Sequence, residues 1–318
     1  MPATADEIRA DMNTLKAMIT SWLRGDLPPP LTPGAFALAQ AHGLAGMVYH
    51  IHPQMPEKVA QAAAQAWHRQ CAAYMLRQHL LSAHWPTWAP PPMIIKGADL
   101  AEALYNDPGV RHSVDLDLLL PDPAFEPVCA HLSAAADAHR DPTTLLGGAL
   151  PHERGFVFHR PSGDLVIELH RDPQPRRRAP LRGADLWLRG QPADLDGLAI
   201  RQPTDLDRLL LWLTDQVNDG FLDRLRDYVD LALILRRLPS PEALTPHIHA
   251  AGLTLAWRLA YARLSALGWA PQTHAPPPLT WQLPGLPPPD RPDPYAGEPR
   301  TAQRRLLKLL LWSSTLRP

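Results

Sequence analysis

The chain is poor in cysteine, has no surplus of either charge and has no long apolar run. Each shortage removes a class of protein. Two cysteines in 318 residues, Cys71 and Cys129, are too few for a disulfide framework and have no metal-type spacing. Each falls in a stretch with helical pattern and reads as a small core residue. A reducing cytoplasm fits that usage. Lys and Arg number 31 and Asp and Glu 32, leaving a formal net charge of −1 and a pI near 7.0. Neither nucleic acid nor an anionic membrane is therefore expected as a partner. No apolar run is long enough to span a bilayer. The N-terminal residues lack the basic start and apolar block of a secretion signal. The clusters Arg176-Arg177-Arg178 and Arg304-Arg305 read as solvated surface.

What the chain has in excess is proline, 38 residues, which predicts many short, stiff connections. An apolar content of 45% supplies a sizeable core. Five regions follow from the pattern. Residues 1–90 are helical, with three-to-four spacing at Ile8, Met12, Leu15, Met18, Ile19 and Leu23. Thr32-Pro33 is a cap and first-turn proline for a helix from 33 to about 42, and 56–85 is a long Ala-rich helix. Residues 91–200 hold strands and form the candidate catalytic core. Residues 201–270 are helical again, opened by Thr204 with Asp207 three residues on. Residues 271–299 are a Pro-rich linker or strap, and 300–318 form an amphipathic helix.

The chemistry concentrates between Met93 and Pro121. Met93 to Ile95 is a short apolar strand, and Lys96-Gly97 leads from it into a helix. A second strand then carries Asp115 and Asp117. Residues i and i+2 of a strand share a face, so the two acids project together while Leu116 and Leu118 enter a core. Like charges so close repel unless a cation lies between them. Further on, Gly155–His159 and Asp164–His170 read as a hairpin, and Glu168 and His170 share one face of its second strand. Three carboxylates on neighbouring strands suit Mg²⁺ or Mn²⁺. The helix start at Gly97 offers N–H groups to a phosphate. Lys96 and Arg111 add charge to it, and His170 is a proton shuttle, a phosphate donor or a partner of Glu168. Arg226 and Asp230, four apart on a helix, read first as an intrahelical ion pair and second as residues lining the site.

This order of motifs resembles the bacterial uncharacterised nucleotidyltransferase family, within the polymerase-β-like superfamily. The matching residues are Ile95-Lys96-Gly97, the run Arg111-His112-Ser113-Val114-Asp115-Leu116-Asp117-Leu118-Leu119, Glu168-Leu169-His170, and Arg224-Leu225-Arg226 with Asp230-Leu231-Ala232. The chain departs from the pattern at Ala98, where a second Gly or Ser is usual. It departs again at Val114, where Ser is usual, and at Glu168, where Asp is usual. The resemblance implies an α+β fold: a small mixed sheet with helices, flanked by N-terminal and C-terminal helical regions. It also implies Mg²⁺- or Mn²⁺-dependent transfer of NMP, AMP foremost, from an NTP to a hydroxyl or similar group of an acceptor left open as a small molecule, peptide or protein, with release of pyrophosphate. Asp115, Asp117 and Glu168 would be the metal-binding and catalytic residues. Lys96, Gly97, Arg111, Ser113 and His170 would bind the nucleotide. Two other readings stand beside this one. One is a nucleotide-binding sensor or scaffold with weakened catalysis, and the other is an interaction protein that docks a partner through Pro-rich 271–298.

Overall fold

The computed structural model describes residues 3–271 apart from 53–54, 141–151, 162, 174–180, 196, 220–223 and 240. The strap and last helix expected over 271–299 and 300–318, and the partner docking assigned to the strap, lie essentially outside those residues.

The first third is helical, as its pattern predicts. Helix α1 (Ala5–Arg24) starts in a capping box between Thr4 and Glu7 and stops at Gly25, which is left-handed at φ 79. Helix α2 (Pro33–Ala41) has Thr32 as cap and Pro33 in its first turn. Helices α3 (Ala45–Ile51) and α4 (Glu57–His84) complete the region.

Next come β1 (Met93–Ile95), α5 (Lys96–Tyr105), β2 (Asp115–Leu119), α6 (Asp122–Ser133), β3 (Ala138–Arg140), β4 (Glu153–Phe158) and β5 (Leu165–His170). Helix α7 (Gly183–Arg189) and strands β6 (Gln191–Leu195) and β7 (Leu198–Gln202) follow. The described strands form one sheet of seven in the order β3-β4-β5-β2-β1-β7-β6. It is mixed: β2 runs parallel to β5 and β1 parallel to β7, and the other neighbours are antiparallel. The chain ends its described part with α8 (Asp205–Asp219), α9 (Leu225–Arg237), α10 (Pro241–Ala250) and α11 (Thr254–Ala266). No described helix is long and apolar enough to cross a membrane.

Period-two alternation divides the sheet chemically. Leu116, Leu118, Phe156, Phe158, Ile167 and Leu169 pack with Phe125, Val128 and Leu132 of α6 and with Leu80 and Leu81 of α4. Burying such side chains contributes roughly 1.5–3 kcal/mol each, which pins the strand register. Asp115, Asp117, Glu168 and His170 therefore face the other way. On that side stands a second core, shared by α1, α2, α3, α8, α9 and α11. The helices before and after the sheet thus meet in one body, and Trp269 Nε1 donates to Thr20 Oγ1 at 2.8 Å.

Helix α8 is tied to α5 directly beneath the acids. Arg208 forks onto Asp99 through Nε at 2.8 Å and Nη2 at 2.9 Å, both side chains buried. A bidentate pair of this kind fixes orientation as well as distance.

Candidate active site

Strand β1 runs straight into α5, and the junction is tight. Lys96 adopts φ 56, a left-handed conformation uncommon for a residue with a side chain. Gly97 follows, and no side chain caps the helix start. A Cβ at position 97 would lie 2.6 Å from Ser113 Oγ and 3.0 Å from Arg111 Nη1. Only glycine fits there without moving both neighbours. Gly97→Ala is expected to lower turnover by roughly tenfold to a hundredfold through this displacement, with little change in melting temperature. Steady-state kinetics beside a melting curve checks it, and wild-type turnover would exclude the cradle from the reaction.

Asp117 lies between β1 and β5, level with Ile95 on one side and Glu168 on the other. Its side chain is buried, with Lys96 Nζ at 3.1 Å and His170 Nε2 at 2.8 Å from Oδ1. Burial disfavours its charge, but Lys96 and His170 outweigh burial and hold its pKa below the usual carboxylate range. The Lys96 ammonium is also 3.8 Å from Asp215 and so bridges Asp117 and Asp215. Burial alone would lower the Lys96 pKa, yet Asp117, Asp215, Glu153 and Glu168 together raise it well above the ordinary value. Glu168 is in the opposite condition. Burial, then Asp117, Glu153 and Asp115, pushes its pKa up to about 7. Burial and Asp117 raise Asp115 as well.

A basic wall faces these acids. Arg111 Nε donates to Asp230 Oδ2 at 2.8 Å, and the Tyr105 hydroxyl donates to the other oxygen at 2.7 Å. The Arg111 guanidinium is thereby held with Nη1 over Gly97. Arg226 donates to the His112 carbonyl at 2.8 Å and to Asp227. The intrahelical Arg226–Asp230 pair expected from the spacing is therefore replaced, because the buried Arg111 competes better for Asp230. Asp115, Asp117, Glu168 and Asp215 line one cleft of about 520 Å³ together with Lys96, Arg111, Arg224 and Arg226. Gly97 and Ser113 line it too.

Seven of the eight residues singled out in the sequence thus border one cleft. The eighth, His170, sits fully buried behind Asp117, with Nδ1 3.6 Å from Glu153 Oε2. Its place fits that of a partner that orients a carboxylate, and the structure brings it to Asp117 rather than to Glu168, which is 3.9 Å away.

Sequence reasoning missed Arg77, Glu153 and Asp215, and it matched Arg224 to the family pattern without giving it a role. Asp215, Glu153 and Arg77 carried no local signal, because their relevance arises from strand pairing and helix packing. Arg77 Nη2 and Gln70 Nε2, both from α4, donate to the Ser113 carbonyl at 3.1 and 3.2 Å. They clamp the loop that delivers Asp115.

With this geometry in place, residues 33–267 match the uncharacterised nucleotidyltransferase family. The chain belongs to that family. No curated protein matches the chain. Among solved structures, an antigenic nucleotidyltransferase-like protein from Paracoccidioides brasiliensis is similar at 16% identity and a TM-score of 0.32. The match covers 54% of this chain and 77% of that one, and at that score the likeness decides nothing.

Membership in a nucleotidyltransferase family implies an NTP substrate and a divalent cation, and the residues present fit one. Asp117, Glu168 and His170 offer ligand atoms that all lie within 4.8 Å of one another. The two carboxylates are hard oxygen ligands that suit such an ion, and the His170 imidazole, with Nε2 2.8 Å from Asp117 Oδ1, orients one of them. Asp115 borders this trio from the start of the same strand.

A pH dependence follows from Glu168. Its folded pKa of about 7 exceeds the ordinary 4.5. Its contribution to the stability of the metal-free protein is therefore present below the ordinary value and lost as pH rises through about 7. A cation binds the ionised form. The rise in melting temperature caused by Mg²⁺ or Mn²⁺ is expected to be larger at about pH 8 than at about pH 6. An equal rise at both would remove Glu168 from the ligand set.

Proposed function

We propose that this family member is a Mg²⁺- or Mn²⁺-dependent nucleotidyltransferase. It moves NMP, with AMP as the preferred group, from an NTP to an acceptor hydroxyl and releases pyrophosphate. The observation that carries this reading is the division of one cleft into an acidic sheet face and a basic helical wall. Acids alone would suit a metal and bases alone an anion, whereas phosphoryl chemistry on a metal–triphosphate complex needs both.

In this reading Asp115 and Asp117 hold the metal and Glu168 completes its site. When bound, the cation neutralises charge on the phosphates and lowers the pKa of the attacking hydroxyl. Arg111, aimed by Asp230, grips phosphate oxygens with its free Nη edge. The N–H groups at the start of α5, the Gly97 cradle and Ser113 take further oxygens. Lys96 contributes a point charge, and Arg224 and Arg226 close the wall. Glu168 would also help to take the proton of the acceptor hydroxyl. His170 keeps Asp117 in place from behind.

Lys96 seated on Asp117 favours a second reading, a sensor that binds NTP without turnover. One experiment separates the two. The protein is incubated with ATP labelled at the α-phosphate, Mg²⁺ or Mn²⁺, and a cell extract. Transfer of label with release of pyrophosphate supports the enzyme. Metal-dependent ATP binding without pyrophosphate supports the sensor. A cytoplasmic setting suits both, since Cys71 and Cys129 are free thiols.

A further inference from the structure

The catalytic cleft does not end at Val114. It continues into a second cleft of about 590 Å³, and Gln40, Gly43, His112, Ser113 and Val114 line both. One face of α4 forms its long wall, through Ala66, Arg69, Gln70, Ala73, Leu76 and Arg77. The turn at Gly163, Asp164 and Leu165 closes the far side, next to the start of β5.

Three observations assign a ligand to this space. The first is continuity. The second cleft opens into the first along Ser113 and Val114, immediately before Asp115, so a molecule seated in it reaches the acids. The second is charge. Arg77 is only 5% exposed, and while Nη2 serves the Ser113 carbonyl, Nε and Nη1 have no hydrogen-bond partner among the described residues. Asp115 and Asp117 oppose the Arg77 charge, but two nitrogens with three N–H groups left without an acceptor are costly unless a further anion completes them. Arg69 stands two turns away on the same helix face, at the rim, and Asp164 is the one carboxylate lining the cleft. The third is size and surface. The space suits a small molecule, and Ala66, Ala73 and Leu76 offer it an apolar wall.

We propose that this second cleft binds the acceptor, and that the acceptor is a small hydroxy compound carrying a carboxylate or phosphate beside an apolar part. The proposal rests on the nucleotidyl-transfer reading. The acceptor oxygen forms a bond to the α-phosphorus of the NTP. The bond from that phosphorus to the α,β-bridging oxygen breaks, its electron pair leaves with pyrophosphate, and the hydroxyl proton passes to the acid cluster. Arg77 and Arg69 hold the anionic group and set the hydroxyl towards Asp115.

The test uses the full chain, ATP labelled at the α-phosphate, Mn²⁺, and the small-molecule filtrate of a cell extract. The filtrate is split on an anion-exchange resin into retained and unretained fractions. Wild type is compared with Ala73→Trp, which fills the cleft, and Arg69→Glu, which reverses charge at an exposed site. Binding of a fluorescent ATP analogue is measured alongside. Label is expected to enter a new species only with the retained fraction. Each variant should lose roughly tenfold or more of that transfer, the equivalent of one charged contact, while nucleotide affinity is unchanged. Eluting the retained fraction before and after phosphatase treatment distinguishes a phosphate from a carboxylate acceptor. Equal transfer to the unretained fraction, variants as active as wild type, or label appearing only on protein overturns the assignment. A wild type that binds ATP but labels nothing in the retained fraction overturns it as well. Failure of the wild type to bind ATP at all is different, because it overturns the nucleotidyl-transfer reading itself.

Discussion

Asp117→Asn is expected to cost about a thousandfold in kcat/KM while the protein stays folded. The side chain is isosteric, so the packing of β2 against β1 and β5 is untouched. What disappears is the negative charge that meets Lys96 at 3.1 Å and His170 at 2.8 Å. Metal-borne charge stabilisation in a transition state contributes several kcal/mol, and each 1.36 kcal/mol is about tenfold in rate. Loss of a residue that anchors the cation, orients beside Glu168 and restrains Lys96 therefore amounts to roughly 10³. The variant also relieves Glu168, because Asp117 is the foremost charge raising its pKa after burial itself. In the metal-free variant the Glu168 carboxyl should accordingly ionise at lower pH than in the wild type. Pyrophosphate release measured across pH, with a melting curve as control, decides the matter. Turnover within a few-fold of wild type would mean that the acid cluster is structural.

Asp230→Ala should produce the largest loss of stability at a single polar site, about 3–5 kcal/mol. Asp230 is fully buried and is 119 residues from Arg111 in the chain, yet the two meet at 2.8 Å. Burial keeps the Asp230 pKa above the usual range despite Arg111. The pair therefore adds little over an apolar filling of the same shape. Breaking it is another matter, since a buried guanidinium and the Tyr105 hydroxyl would both lose their partner. Against a typical total of about 5–15 kcal/mol, that loss should lower the urea midpoint sharply. Transfer activity should fall too, because Arg111 loses its aim over Gly97. Asp230→Asn keeps a hydrogen-bond acceptor and should fall between wild type and alanine. A midpoint unchanged in the alanine variant would show that Arg111 finds another anion.

The reading from sequence succeeded where the signal was local. Thr32 with Pro33 marked a helix start because a cap acts within four residues, whereas the Thr4–Glu7 box was not read. Asp115 and Asp117 declared a shared face because a strand alternates with period two. Strands β3, β6 and β7 escaped notice although β1 and β2 are equally short, because Ala138–Arg140, Gln191–Leu195 and Leu198–Gln202 carry no apolar run or clean alternation. β6, Gln191–Leu195, is also mostly exposed along an edge, where polar residues replace alternation. Arg226 and Asp230 misled for the same local reason. Their spacing permits a helical ion pair, but the choice of partner for a buried carboxylate depends on whatever packs against it.

Composition and pattern determined by themselves that the block from Met93 to Pro121 would be strand, glycine-led helix and strand, with two acids on one face. The third acid at Glu168 and the helical flanks were legible in the same way. Only the tertiary structure decided that β2 and β5 lie side by side with Asp117 level with Glu168. It alone seated Lys96 on Asp117, placed His170 behind, turned Arg111 towards Asp230 and opened the second cleft along α4. These are contacts between residues far apart in sequence. They are selected by the packing of two cores rather than by any local preference, and no period or cap along the chain encodes them.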